Sequence, residues 1–208
     1  MSDGKIIVIS APSGCGKSTI IKAMLDAGLV DLSFSVSATN RPPREGELDG
    51  VHYHFLTTEK FIELAGQGKF IEWEEVYPGR YYGTLISEVD CKTDEGRNVI
   101  LDIDVKGALN VKRLYGDRAL TIFIEPPTIE ELRRRLEARG SDSPDIIDIR
   151  VGKAEYEIGF ASQFDHVVIN DNLDNAVSQT AFLINEFLEK NPAGQSLNDC
   201  VNTPWTKI

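Results

Sequence analysis

Residues 10–19 read SAPSGCGKST, a glycine-rich run ending in a Lys-Ser-Thr step. This pattern suits the phosphates of a nucleotide. Backbone N–H groups of Ser13, Gly14, Cys15 and Gly16 can curl round an anion at the positive end of a following helix. Lys17 then reaches the outer phosphates, Ser18 offers a hydroxyl to a metal, and Thr19 belongs to the same nucleotide-binding run. Ala11 stands where this motif usually has its first Gly, which is tolerable while that residue keeps a negative φ; Gly14 and Gly16 still supply the permissive positions. Cys15, beside Lys17 and a helix start, stands where a thiol pKa can fall, and a small filler is the plainer reading.

Residues 37–55, SATNRPPREGELDGVHYHF, carry a second set of chemistry-bearing groups. Arg41 and Arg44 lie in a loop punctuated by Pro and Gly, and two forked guanidiniums at that separation suit a phosphate. Tyr53 and Tyr82 can add hydroxyl donors to the same anion. Taken singly, each arginine is equally a surface charge. Glu72, in KFIEWEE, is expected on a strand face shared with Phe70 and Glu74. As a carboxylate it only accepts, so it matches a base with two adjacent donors, as guanine has, and repels adenine. A solvent-facing strand position is the other reading of Glu72. Asp102 and Asp104 close the apolar run at 99–101, where open α/β sheets place ligands; they can orient a metal-bound water or pair with an arginine. Arg135 and Arg139, four apart on one helix face, with Arg150 on the next helix, can steady a transferring phosphoryl group. Arg133 and Arg134 fit better as solvated charges. His52, His54 and His166 form no triad or ligand cluster.

Positioning these groups requires a particular scaffold. Strand-like runs at 5–10, 98–103, 119–124 and 167–169 alternate with helical runs starting at 17, 105, 129 and 173. That alternation predicts an α/β fold with a parallel sheet flanked by helices. Residues 33–83, rich in aromatics and alternating patterns with one helix near 59–65, read as a small mixed α/β insert. In the stretch 126–157 Thr128 and Glu131 make a capping box, Gly140 ends a helix, and Ser143-Pro144 opens another. The run at 140–145 between them reads as a hinge. The expected division is a core of 1–32, 84–125 and 158–190, the insert 33–83, a helical lid 126–157, and a tail 191–208 without usable periodicity, in which Trp205 could dock.

The chain of 208 residues carries 22 Lys and Arg against 33 Asp and Glu, a net charge of −11. That balance argues against a general nucleic-acid or acidic-membrane surface, so the cations that hold phosphates must be concentrated locally. No apolar run approaches the roughly 20 residues of a membrane span, and the start lacks signal-peptide character. A cytoplasmic location is the expectation, and so are reduced thiols at the widely spaced Cys15, Cys91 and Cys200. Oligomeric state, monomer or homodimer, stays open.

Over roughly residues 4–190 the sequence resembles the guanylate kinases, P-loop enzymes that move a phosphoryl group from ATP to GMP. The most specific stretches are S-x-T-x-R-x-x-R-x-G-E-x-x-G-x-x-Y-x-F at 37–55, F-I-E-W at 70–73, Y-Y-G-T at 81–84, L-D-I-D-x-x-G at 101–107 and R-L-E-x-R-G from 135. The resemblance implies a P-loop kinase core with an inserted GMP-binding part and a lid. It also implies that Ser37, Glu72, Thr84 and Asp104 read guanine, and that Arg41, Arg44, Tyr53 and Tyr82 hold the GMP phosphate. Glu47 and Asp102 would support GMP and magnesium, with Ser18 on the Mg2+. Lys17, Arg135, Arg139 and Arg150 would engage the ATP phosphates, and Asn170 the adenosine. Departures are Ala11, Asn40 where a second Thr is common, and Thr84 where some members have Ser. The alternative is a guanylate-kinase-like module that has lost catalysis and grips phosphorylated partners through Arg41, Arg44 and Tyr53.

Overall fold

The computed structural model describes residues 4–140 and 142–190. Expectations falling on Ser141, Cys200, Trp205 and the rest of the tail lie outside the described residues. In chain order the elements begin with β1 (Ile6–Ser10), α1 (Lys17–Asp26), β2 (Ser33–Phe34), β3 (Ala38–Thr39), β4 (His54–Phe55) and α2 (Thr58–Gly66). There follow β5 (Phe70–Tyr77), β6 (Arg80–Leu85), α3 (Ile86–Asp94), β7 (Val99–Asp102) and α4 (Val105–Tyr115). The described residues close with β8 (Ala119–Glu125), α5 (Ile129–Arg139), α6 (Pro144–Ile158), β9 (His166–Ile169) and α7 (Leu173–Lys190).

The architecture is α/β, with a parallel five-stranded sheet in the order β2-β7-β1-β8-β9, flanked by helices. Its inner strands are runs of β-branched and apolar residues; IIVIS of β1 is buried throughout. That is how strands covered on both faces read. By compactness the chain forms two units, residues 7–32 with 101–190, and residues 4–6 with 33–100.

In the first of these, the helices present apolar stripes and have physical start and stop signals. α1 buries Ile20, Ile21 and Met24. α5 begins where the Thr128 hydroxyl accepts from the Glu131 N–H at 3.1 Å and ends at Gly140, whose φ of 64° suits glycine. α6 starts with Pro144, whose missing N–H costs nothing in a first turn.

The second unit holds a four-stranded sheet in the order β4-β3-β6-β5. Its core gathers Ala38, Phe61, Leu64, Phe70 and Leu85, with Phe61 stacked on Phe70 at a centroid separation of 4.5 Å. α2, capped by Thr57, covers the predicted stretch 59–65. Three findings correct the sequence reading. Strand β6 and helix α3 complete this unit, neither having been expected. Residues 33–34 do not belong to its sheet: they pair in parallel with Val99 and Ile100. Finally, an irregularity between Phe70 and Glu72 breaks the expected alternation, so Phe70 and Ile71 are both buried while Glu72 pairs across to Thr84.

No helix among the described residues is long and apolar enough to cross a membrane.

Candidate active site

In the unit of residues 7–32 and 101–190, the turn between β1 and α1 forms one wall of a cavity of about 400 Å³. Residues 11–14 and 16–19 line it together with Asp102, Asp104, Arg139, Arg150, Lys153 and Glu157. The turn is built on two glycines in the left-handed region, Gly14 at φ 98° and Gly16 at φ 87°. A Cβ on Gly14 would lie 2.8 Å from Leu136 Cδ2, and one on Gly16 only 2.5 Å from Asn170 Nδ2. Gly16 is also the N-cap of α1, with no side chain satisfying the first N–H groups of the helix. These orphan donors point where an anion binds.

Lys17 is ion-paired with Asp102 at the end of β7. Asp104 accepts from the Gly107 N–H at 2.7 Å and so caps α4. Arg150 donates to the Ser13 hydroxyl at 3.0 Å, and its guanidinium lies 3.4 Å from Asp142. Arg135 is not among the lining groups: it donates to the Asn170 carbonyl at 2.9 Å and to Glu131 at 2.8 Å. Asn170 in turn donates to the Cys15 carbonyl at 2.7 Å, tying the end of β9 to the glycine-rich turn. Cys15 itself is free and buried, and burial pushes its thiol up to about 12, the opposite of the activation its neighbours suggested. Its side chain is filler, and its own N–H donates to the Pro12 carbonyl at 3.2 Å.

Lys153 and Glu157 are cavity residues that sequence reading missed. The signal existed, since 150, 153 and 157 share one helical stripe, and Arg150 had been singled out. Burial raises the carboxyl of Glu157 above the usual range, and Lys153, 3.7 Å away, works against that.

The other unit carries the second cluster. Both terminal nitrogens of Arg41 meet Glu47, at 2.9 and 2.8 Å, the forked geometry of a bidentate pair. The guanidinium lies 5.5 Å from the Tyr53 ring centre and 5.6 Å from that of Phe55. Tyr53 meets Tyr82 edge-on at 5.9 Å. The Arg44 N–H donates to Glu47 at 2.6 Å, and its side chain is exposed. Through the Arg41 side chain and the Arg44 backbone, Glu47 is lowered to about 2. Asn40, where the sequence departs from the common Thr, is buried and fully used: its amide donates to Thr58 and to the Gly79 carbonyl, and its oxygen accepts from the Tyr81 N–H, each at 2.8 Å. It braces the start of the Arg41 loop.

On the same sheet the Thr84 hydroxyl donates to Glu72 Oε1 at 2.7 Å. Ser37, half-buried, directly precedes β3, and its carbonyl accepts from the His54 N–H at 2.9 Å. Of the expected guanine and GMP group, the structure therefore collects Arg41, Arg44, Glu47, Tyr53 and Tyr82 in one cluster and Glu72 with Thr84 in one pair. Asp102 and Asp104 line the cavity that holds Lys17.

A family model described as guanylate kinase matches residues 3–187. A guanylate kinase of Bacteroides thetaiotaomicron is 54% identical over 187 residues, covering 90% of this chain and 91% of that protein. One from Salinibacter ruber is 50% identical over 188 residues, covering 90% and 99%. Among solved structures, the guanylate kinase of Anaplasma phagocytophilum matches with a TM-score of 0.64 and 30% identity, covering 94% of this chain and 90% of that one. With a family model matched over residues 3–187 and relatives at 50–54% identity over nine-tenths of its length, the chain belongs to the guanylate kinase family.

Proposed function

We propose that the protein catalyses phosphoryl transfer from ATP to GMP, giving ADP and GDP, in the cytoplasm where its nucleotide substrates are. The observation that carries the choice of acceptor is the Glu72 and Thr84 pair. The carboxylate, oriented by a hydroxyl at 2.7 Å, is an acceptor-only group on a half-buried strand position. It matches the adjacent donors of guanine and leaves a desolvated charge unpaired against adenine. Ser37 and Asp104 complete the reading of the base, and Arg41, Arg44, Tyr53 and Tyr82 hold the GMP phosphate, with Glu47 fixing the Arg41 fork.

The glycine-rich turn cradles the ATP phosphates through its backbone N–H groups, and Lys17, Arg139 and Arg150 neutralise charge on the group in transit. Arg135, which donates to the Asn170 carbonyl, belongs with the arginines that engage the ATP phosphates, and Asn170 with the adenosine. Catalysis of this kind is positioning and charge neutralisation, with no covalent intermediate on the protein. Residues 33–83 serve as the GMP-binding part and 126–157 as a lid that excludes water from bound ATP.

Magnesium fits the donor set. Ser18 and two carboxylates, Asp102 and Asp104, line the same cavity, all hard oxygen donors. No cluster of three or more acidic, His or Cys side chains able to hold a metal exists among the described residues, in keeping with an ion carried mainly by phosphates and water. When bound, it offsets charge on the ATP phosphates.

ADP formation measured with GMP, AMP, UMP or no acceptor tests the assignment; the expected result is turnover with GMP alone. Lys17→Ala should lower turnover by ~10³-fold or more while GMP still binds by calorimetry. An active Lys17→Ala protein, or equal turnover with AMP, overturns the proposal.

A further inference from the structure

Glu88, on the first turn of α3, is a largely buried carboxylate outside the clusters above; its side chain is 13% exposed. Its Oε1 accepts from the Val36 N–H at 3.1 Å and meets the Lys92 ammonium at 2.6 Å; its Oε2 meets His54 Nε2 at 3.0 Å. Burial disfavours the charge, and the hydrogen bonds from His54 and Lys92 overcome it and hold the carboxyl below its usual range. Lys92 also donates to the Phe34 carbonyl at 2.6 Å.

These contacts converge on one short segment. Residues 35–37 join β2 to β3 without belonging to either strand; the Ser35 N–H still reaches the Ile100 carbonyl at 3.4 Å, and the next N–H, that of Val36, goes to Glu88 instead. Phe34 is held by Lys92, Val36 by Glu88, and the Ser37 carbonyl by the His54 N–H at 2.9 Å. A serine hydroxyl recognises a purine only where its backbone is fixed, so these ties bear directly on the base-reading group.

We propose that Glu88, braced by His54 and Lys92, is a positioning residue that fixes the segment carrying Ser37 and thereby sets the affinity for the guanine base. This rests on the assignment of Ser37 to the base in the proposed function. Glu88 acts through the backbone of Val36 and touches neither substrate.

The test is a double-mutant cycle of Ser37→Ala and Glu88→Ala, with KM for GMP and for ATP, kcat, and Tm measured on each variant. Glu88→Ala should raise KM for GMP roughly tenfold, the scale of one lost hydrogen bond to a charged group. KM for ATP should stay unchanged. Glu88→Gln, which keeps an acceptor for Val36, should restore part of the loss. In the double variant the two effects should fail to multiply, because Glu88 works through Ser37. Should Glu88→Ala not fold, Glu88→Gln and Lys92→Met supply the same comparison. If Ser37→Ala raises KM for GMP and the Glu88 and Lys92 variants do not, or if KM for ATP rises in step, the positioning role is overturned while the base assignment stands. If Ser37→Ala itself leaves KM for GMP unchanged, the base assignment of Ser37 fails, and this inference with it; the acceptor panel then judges the reaction separately.

Discussion

At the scale of single residues, the Arg41 and Glu47 pair carries a pH signature with a definite sign. Glu47 is lowered from 4.5 to about 2 by the Arg41 side chain and the Arg44 backbone, so folding favours its ionised form. A carboxyl depressed in this way contributes stability that is fully present above about pH 4.5 and is lost as pH falls toward about 2. Glu47→Gln should therefore be less stable than the parent at neutral pH, with the gap narrowing over that acid window. Thermal midpoints of both proteins from pH 7 to 2.5 read it directly; a gap constant across that range contradicts the ionic account. Glu131, lowered to about 2 by Arg134 and Arg135, gives the same sign on α5 and serves as an internal comparison. Arg41 and Arg44 were legible from sequence because a loop between Pro and Gly leaves two arginines no helix face to decorate, whereas Glu47 came only with the family resemblance. Lys153 and Glu157 share the helical stripe of Arg150, but taken alone they look like any solvated i, i+4 pair on a helix, so the stripe went unread. Only the packing of α6 against the glycine-rich turn gives them a cavity to face.

At the scale of elements, the strand, turn and helix around residue 16 are held by close approach as much as by hydrogen bonds. Gly16 combines a φ of 87° with an Asn170 amide nitrogen 2.5 Å from where a Cβ would sit. That amide is itself bonded to the Cys15 carbonyl at 2.7 Å, so it has no room to retreat without breaking the tie between β9 and the turn. Gly16→Ala should cost roughly 1–2 kcal/mol in backbone strain alone. In a protein of this size that corresponds to a Tm lower by about 2–4 °C per kcal/mol, with KM for ATP raised more than KM for GMP. Differential scanning calorimetry with steady-state kinetics checks both, and an unchanged Tm would show that the turn relaxes freely. Here the sequence was a good guide, since β1, the turn and α1 are local and their periodicities are strong. It failed at β6 and α3. RYYGTL places a glycine inside a strand, and that glycine is needed because a Cβ at Gly83 would lie 2.6 Å from the Glu72 carbonyl of the neighbouring strand. Such a requirement exists only once β5 is in place. α3 has weak amphipathicity of its own, burying only Val89 and Thr93, and so left little pattern to read.

For the whole molecule, a net charge of −11 is combined with cations gathered in two places. Lys17, Arg139, Arg150 and Lys153 line one cavity, and Arg41 with Arg44 forms the other group, each wholly within one compact unit. Asp104, expected with the base-reading residues, belongs to the unit that carries Lys17. If each nucleotide depends chiefly on one group, ligand-induced stabilisation should separate cleanly by variant. A ligand that binds only the folded state adds RT ln(1 + [L]/Kd), about 2.7 kcal/mol at a hundredfold excess, and the gain is read as a rise in Tm. Arg41→Met should lose the rise caused by GMP and keep the rise caused by ATP with magnesium. Lys17→Ala should do the reverse, since Lys17 touches only the donor phosphates in this mechanism. Loss of both rises in either single variant, with its Tm in buffer unchanged, would mean that the two groups bind as one site, and the assignment of one nucleotide to each would have to be abandoned.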